Sequence, residues 1–151
     1  MIKKVSIFTF ATGLTLLMNS AYALENVKSA HDVKTTADRL ETVLKNKGMT
    51  IFARVDHAAG AKKVDKELLP TELVIFGNPK VGTLLMQCEQ KMGLDLPLKA
   101  LIWQDESGQT WYSYDNPESM KAKHDVKGCD PVFEKVKDAM ANFAKAATSE
   151  K

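Results

Sequence analysis

An excess of charge, a cysteine cluster and a membrane-length apolar run are all missing from this sequence. Its 151 residues hold 21 basic and 19 acidic side chains, and Lys3 and Lys4 alone account for the difference. The rest of the chain is electrically balanced. Nucleic-acid binding rests on clustered cations that neutralise phosphates, so no nucleic-acid partner is expected. Residues 5–18 are apolar apart from Ser and Thr, but a membrane span needs roughly 20 such residues. With Lys3 and Lys4 before it and the small pair Ala21 and Ala23 after it, this stretch has the layout of a cleaved secretion signal. No cysteine stands at the cleavage point, which argues against a lipoprotein. The expected organisation is a signal peptide at residues 1–23 and a single domain at 24–151, periplasmic or secreted, with no membrane contact after cleavage.

There are only two cysteines, Cys88 and Cys129, and no Cys-x-x-Cys. An even count in an oxidising compartment favours a disulfide; a redox pair or two free thiols are the alternatives. Three histidines, His31, His57 and His124, stand far apart and never at i, i+3 or i+4, whereas zinc ligands normally come at closer spacing. No metal site is assigned. Haem would need a lone His or Met, because no Cys-x-x-Cys-His attachment motif is present. A metal or haem role therefore stays a minor alternative, and the cofactor, if any, is unknown.

What is present is a regular pattern of elements, with no repeat, linker or low-complexity block in residues 24–151. Residues 25–30 read as a short strand. Asp32 can cap a helix running to about Lys47, with Val33, Ala37, Leu40, Val43 and Leu44 on one face and Gly48 stopping it. Residues 50–56 alternate as a strand, and 57–69 suit either a helical turn or a loop. Leu73-Val-Ile-Phe76 is an unbroken apolar strand core. Asn78-Pro79 opens a helix that Gly93 should stop. Residues 98–104 and 109–114 read as strands joined by the turn Asp105-Glu-Ser-Gly108. Trp103 and Trp111 on these strands are expected to pack under the helices. A short helix follows at 117–123. Asp130-Pro131 then begins a last helix with Val132, Phe133, Val136, Ala139, Met140 and Phe143 on one broad face. The order is strand, helix, four strands with an inserted helix, and a final helix. Helices on one face of a mainly antiparallel sheet satisfy it, so the fold class is α+β.

Polar and glycine residues gather where two strands end, at Asp56-His57 and at Gly77-Asn-Pro-Lys80. A carboxylate beside an imidazole can tune a base or fix a tautomer, although neighbours on a strand point to opposite faces. A helix start with Lys80 nearby can hold an anion, yet Pro79 removes a donor and the P-loop spacing is absent. Tyr112 and Tyr114 share a face, and Tyr114 closes its strand. The expected cleft is made by Asp56, His57, Glu72, Asn78, Lys80 and Tyr114.

The segments Gly48-Met-Thr-Ile-Phe-Ala-Arg-Val-Asp-His-Ala-Ala-Gly-Ala61, Leu69-Pro-Thr-Glu-Leu-Val-Ile-Phe-Gly-Asn-Pro-Lys-Val-Gly-Thr83, Leu94-Asp-Leu-Pro-Leu-Lys-Ala-Leu-Ile-Trp103 and Tyr114-Asp-Asn-Pro117 resemble the domain of unknown function 302 family. The likeness covers about residues 27–143. It implies a TATA-binding-protein-like α+β topology and homodimers, and carries no DNA binding with it, because fold does not fix function. The family has no assigned activity or catalytic residues to transfer. Three expectations follow: a small binding or accessory module for a small ligand or a protein partner; an enzyme with His57 as general base on a small anionic substrate; or a redox, metal or haem-handling protein.

Overall fold

The computed structural model describes residues 24–150, so the signal expected at 1–23 lies outside the described residues. The elements are β1 (Leu24–Lys28), α1 (Val33–Asn46), β2 (Thr50–Asp56), α2 (His57–Lys62) and β3 (Thr71–Gly77). After these come α3 (Pro79–Cys88), a 3-10 turn (Gln90–Leu94), β4 (Leu98–Gln104), β5 (Thr110–Asp115), α4 (Pro117–Lys123) and α5 (Asp130–Thr148). Five strands form one antiparallel sheet in the order β1-β5-β4-β3-β2. The fold is α+β.

Short polar side chains start the helices by accepting N–H groups that the first turn cannot pair. Asp32 accepts from the Thr35 amide at 2.6 Å, Asn78 from Lys80 at 2.9 Å and Asn116 from Glu118 at 2.9 Å. Pro79 and Pro117, each next in sequence to its cap, supply no N–H where none is needed. Asp56 does the same for α2, accepting from Ala59 at 2.8 Å, which resolves that segment as a helix. The helix expected to reach Gly93 ends already at Cys88. Glu89 turns to extended backbone, φ −153°, and its carboxylate caps the 3-10 turn through the Lys91 amide at 3.1 Å.

Alternate strand residues build the core. Val74, Phe76, Ala100, Ile102 and Tyr112 are wholly buried together with Leu40 and Leu44 of α1 and Phe133, Val136 and Met140 of α5. Each large side chain so buried contributes about 1.5–3 kcal/mol relative to exposure. Phe76 meets Phe143 edge to face, centroids 5.9 Å apart.

The two tryptophans depart from expectation. Trp103 and Trp111 are cross-strand partners in alternation with Ile102 and Tyr112, so they lie on the other sheet face. Their rings stack at 6.4 Å, and their N–H groups donate to Ser113 Oγ at 2.8 Å and Asp105 Oδ2 at 2.7 Å. Both residue parities of β4 and β5 carry large apolar or aromatic side chains, Leu101, Trp103 and Trp111 on one and Ile102, Tyr112 and Tyr114 on the other, so alternation alone did not say which set the helices would cover.

The β4–β5 turn is organised by one carboxylate. Asp105 accepts from the Ser107 hydroxyl and amide, the Gln109 amide and the Trp111 indole. These bonds, Ser107 first and Trp111 next, hold its carboxyl at about 2, below the ordinary 3.8. A depressed carboxyl pKa stabilises the fold fully above the unfolded value and is lost as pH falls through the folded one. Asp105→Asn should therefore flatten the fall in melting temperature between about pH 4 and pH 2. Melting curves of both proteins across that window check it, and an unchanged slope would refute the assignment.

Candidate binding site

Cys88 and Cys129 are bonded, Cα to Cα 6.4 Å, tying the end of α3 to the start of α5. Between those helices and the end of the sheet lies a cavity of about 350 Å³. Phe52, Val81, Leu85, Met86, Leu96 and Phe143 are among its walls. Phe52 sits at a bulge in β2, between Ile51 and Ala53, and is 55% exposed. Three glycines line or border the space. A Cβ on Gly77 would sit 3.5 Å from the Phe52 ring and one on Gly82 3.9 Å from Leu96 Cδ1. A Cβ on Gly93 would sit 3.5 Å from Met86 Sδ. Small residues thus keep open a space that larger ones would fill. Lys135 is the one charged side chain in the lining, while Asn78 and Thr83 are its polar members.

The residues expected to share a cleft occupy separate places. Asp56 and Glu72 are cross-strand partners, and both line a second, more polar hollow of about 410 Å³ with Asp32, Lys34, Lys62 and Gln104. The carboxylates there already have structural partners: Asp56 caps α2, and Glu72 is paired with Arg54, which also binds Asp38 at 2.5 Å. Those carboxylates, Glu72 foremost, push the Arg54 guanidinium pKa upward, and Lys34 and Arg54 lower that of Asp38. His57 is exposed at the start of α2. Asn78 lies at the far end of β3 from Glu72 and lines the apolar cavity, with Lys80 exposed beside it. Tyr114 sits on β5, two strands from β3, 8% exposed and against Tyr112 at 5.8 Å. Burial pushes its hydroxyl pKa up. The fold brings Asp56 to Glu72 and leaves Asn78, Lys80 and Tyr114 elsewhere.

The other histidines also have partners. His31 Nε2 lies 2.9 Å from the Ser149 carbonyl, and His124 Nε2 lies 2.6 Å from Asp95 Oδ2. Among the described residues no group of three His, Cys, Asp or Glu side chains is placed to hold a metal.

Sequence reasoning missed the apolar cavity because each wall residue has an ordinary core explanation. The available signal was Gly77, Gly82 and Gly93 in and around one helix that carries Val81, Leu84, Leu85 and Met86.

A family model described as a domain of unknown function, DUF302, matches residues 25–143. The "Fluoride-specific ion channel FluC 1" of Brucella suis biovar 1 (strain 1330) is 47% identical over 103 residues, covering 68% of this chain and 41% of its own length. Its namesake in Brucella abortus biovar 1 (strain 9-941) is also 47% identical over 103 residues, 68% of this chain and 38% of that protein. The chain spans about two fifths of the length of these curated relatives. A crystal structure of an uncharacterized conserved DUF302 protein from Bacillus stearothermophilus superposes with a TM-score of 0.75 at 16% identity, covering 82% of this chain and 97% of that one. At that identity the likeness is one of fold.

Proposed function

We propose, from the premise that this chain belongs to the DUF302 family, that it is an exported binding module whose site is the apolar cavity between α3, α5 and the sheet end. The observation that carries this is the cavity itself: about 350 Å³, walled by apolar side chains and kept open by glycine. Ligand sites are typically concave, mostly apolar and furnished with few polar groups. A reaction based on His57 has less support. A general base is commonly oriented by a third group, whereas His57 is exposed and the neighbouring Asp56 carboxylate caps α2. Export is supported by the Ala21-x-Ala23 pattern and the bonded cysteine pair.

The Brucella relatives are named as fluoride channels, and the portion they share with this chain is the smaller part of them. Among the described residues no helix is long and apolar enough to cross a membrane. An apolar wall also offers nothing to replace the hydration of a small anion. We therefore assign ion conduction to the unshared part of those relatives and an accessory binding role to the shared part.

The test is a titration with a neutral naphthylamine fluorophore, comparing the protein with Gly82→Leu. Saturable one-to-one binding is expected for the parent and at least tenfold weaker binding for the variant. The variant's melting temperature should be equal or higher, since Gly costs a helix about 1 kcal/mol. Equal binding by both proteins would remove the cavity as the site.

Homodimerisation is assigned to the sheet face opposite α1 and α5, where Leu73, Ile75, Leu101, Trp103 and Trp111 remain partly exposed. Light scattering should give a dimer that Leu101→Lys converts to a monomer; a monomeric parent protein would end this assignment.

A further inference from the structure

The apolar cavity has one cationic feature. Lys135 stands in its lining, one turn into α5. Of the other charges on α5 near it, Glu134 pairs with Lys137 at 3.6 Å and Asp130 pairs with Lys121, while Asp138, three residues on, is exposed to solvent. Among the described residues Lys135 forms no ion pair, and it is exposed. A lysine in this position lays its apolar stem along an apolar wall and keeps the ammonium at the water boundary. The polar lining groups give an anion little competition. The Asn78 side chain already accepts from the Lys80 amide at 2.9 Å, and the Thr83 hydroxyl can donate to an oxygen anion.

Resting on the cavity as the binding site, we propose that the ligand is a single-chain amphiphile with a carboxylate head, of the medium-chain fatty-acid class. Its chain lies against Phe52, Leu85 and Phe143, and its head meets Lys135 at the mouth. The volume selects one chain. About 350 Å³ is near the lower end of the range for ligand sites, roughly 300–1,000 Å³, too small for the paired chains of a phospholipid. The charge selects the head group, because no acidic side chain lines the cavity to welcome a cation.

The test uses three probes of equal chain length, decanoate, decanol and decyltrimethylammonium, titrated below micellar concentrations at pH 8 and low ionic strength. The proteins compared are the parent chain, Lys135→Glu and Gly82→Leu. Decanoate should bind the parent roughly fivefold more tightly than decanol, near the upper end for an exposed ion pair, and the margin should shrink with added salt. Lys135→Glu should lose that margin and favour decyltrimethylammonium, while its decanol affinity stays within about twofold, because a rim charge contributes little to apolar burial. Gly82→Leu should weaken all three. Equal binding of the three probes by the parent, or a decanoate preference that survives Lys135→Glu, would overturn the head-group inference and leave the cavity in place. Binding of all three unaffected by Gly82→Leu, or no binding at all, would overturn the cavity reading and this inference with it.

Discussion

Replacing both Cys88 and Cys129 with serine is expected to lower the unfolding free energy by about 4 kcal/mol, within the range of about 2–5 kcal/mol for bonds in small secreted domains. The bond spans 41 residues, and opening it restores the freedom of that loop to the unfolded chain. The loop contains the 3-10 turn, β4, β5 and α4. A loss of this size is a large share of the roughly 5–15 kcal/mol that holds a domain folded. Urea unfolding of the oxidised protein, the reduced protein and the double variant measures it. The last two should share a midpoint well below the first. Coincident midpoints for all three would mean that the bond contributes nothing. A second readout belongs to the cavity, since the bond joins the end of one wall helix to the start of another. Reduction should weaken binding of the neutral fluorophore under conditions where the protein remains folded.

Phe76→Ala should cost about 3–5 kcal/mol, the range for deleting a buried aromatic ring. Phe76 is wholly buried on β3 and meets Phe143 edge to face, and Phe143 also lines the apolar cavity. The ring removed therefore leaves space beside an existing hollow. Neighbouring strands pin the backbone on both sides, so collapse into that space is limited. The expected melting shift is on the order of 10 °C or more. Because the new space adjoins the cavity, a saturating apolar ligand should raise the melting temperature of the variant more than that of the parent. A loss under about 1 kcal/mol would show that the core relaxes around the deletion.

Most of the architecture was legible because local chemistry and global fold agree at the element boundaries. Asp32 and Asn78-Pro79 are helix starts in sequence and in structure, and the short helix read at 117–123 is present with Asn116 as its cap. Residues 98–104 and 110–115 are the hairpin that the Asp105–Gly108 turn announces. The early end of α3 was not legible, because Glu89 can continue a helix or cap the next turn, and in the fold it caps the turn that carries the buried Met92. The inward face of β4 and β5 was ambiguous for the reason given by Trp103 and Tyr112: both parities carry large apolar surface. The site was the least legible part. Asp56 and His57 stand out in sequence by being polar neighbours, whereas the cavity is assembled from a bulge, two helices and a turn that are distant along the chain. Its walls have no chemistry beyond being apolar, and only their arrangement makes a hollow.

The sheet order also sets a timetable. β1, which begins the described chain, pairs with β5 alone, so Glu25 must find Tyr114. α1 likewise packs against α5. Contacts between remote segments carry a loop-closure cost before they return any stabilisation, and such folds form slowly. A chain delivered amino terminus first would hold β1 unpaired until β5, at Thr110–Asp115 of 151 residues, had arrived. Meanwhile β2, β3 and β4, neighbours in sequence order, can pair in succession and offer the outer edge of β4 as a waiting template. The interval before β5 takes that edge is the period of greatest exposure to misassociation. Any variant that delays β5 extends it, even where the finished molecule is equally stable.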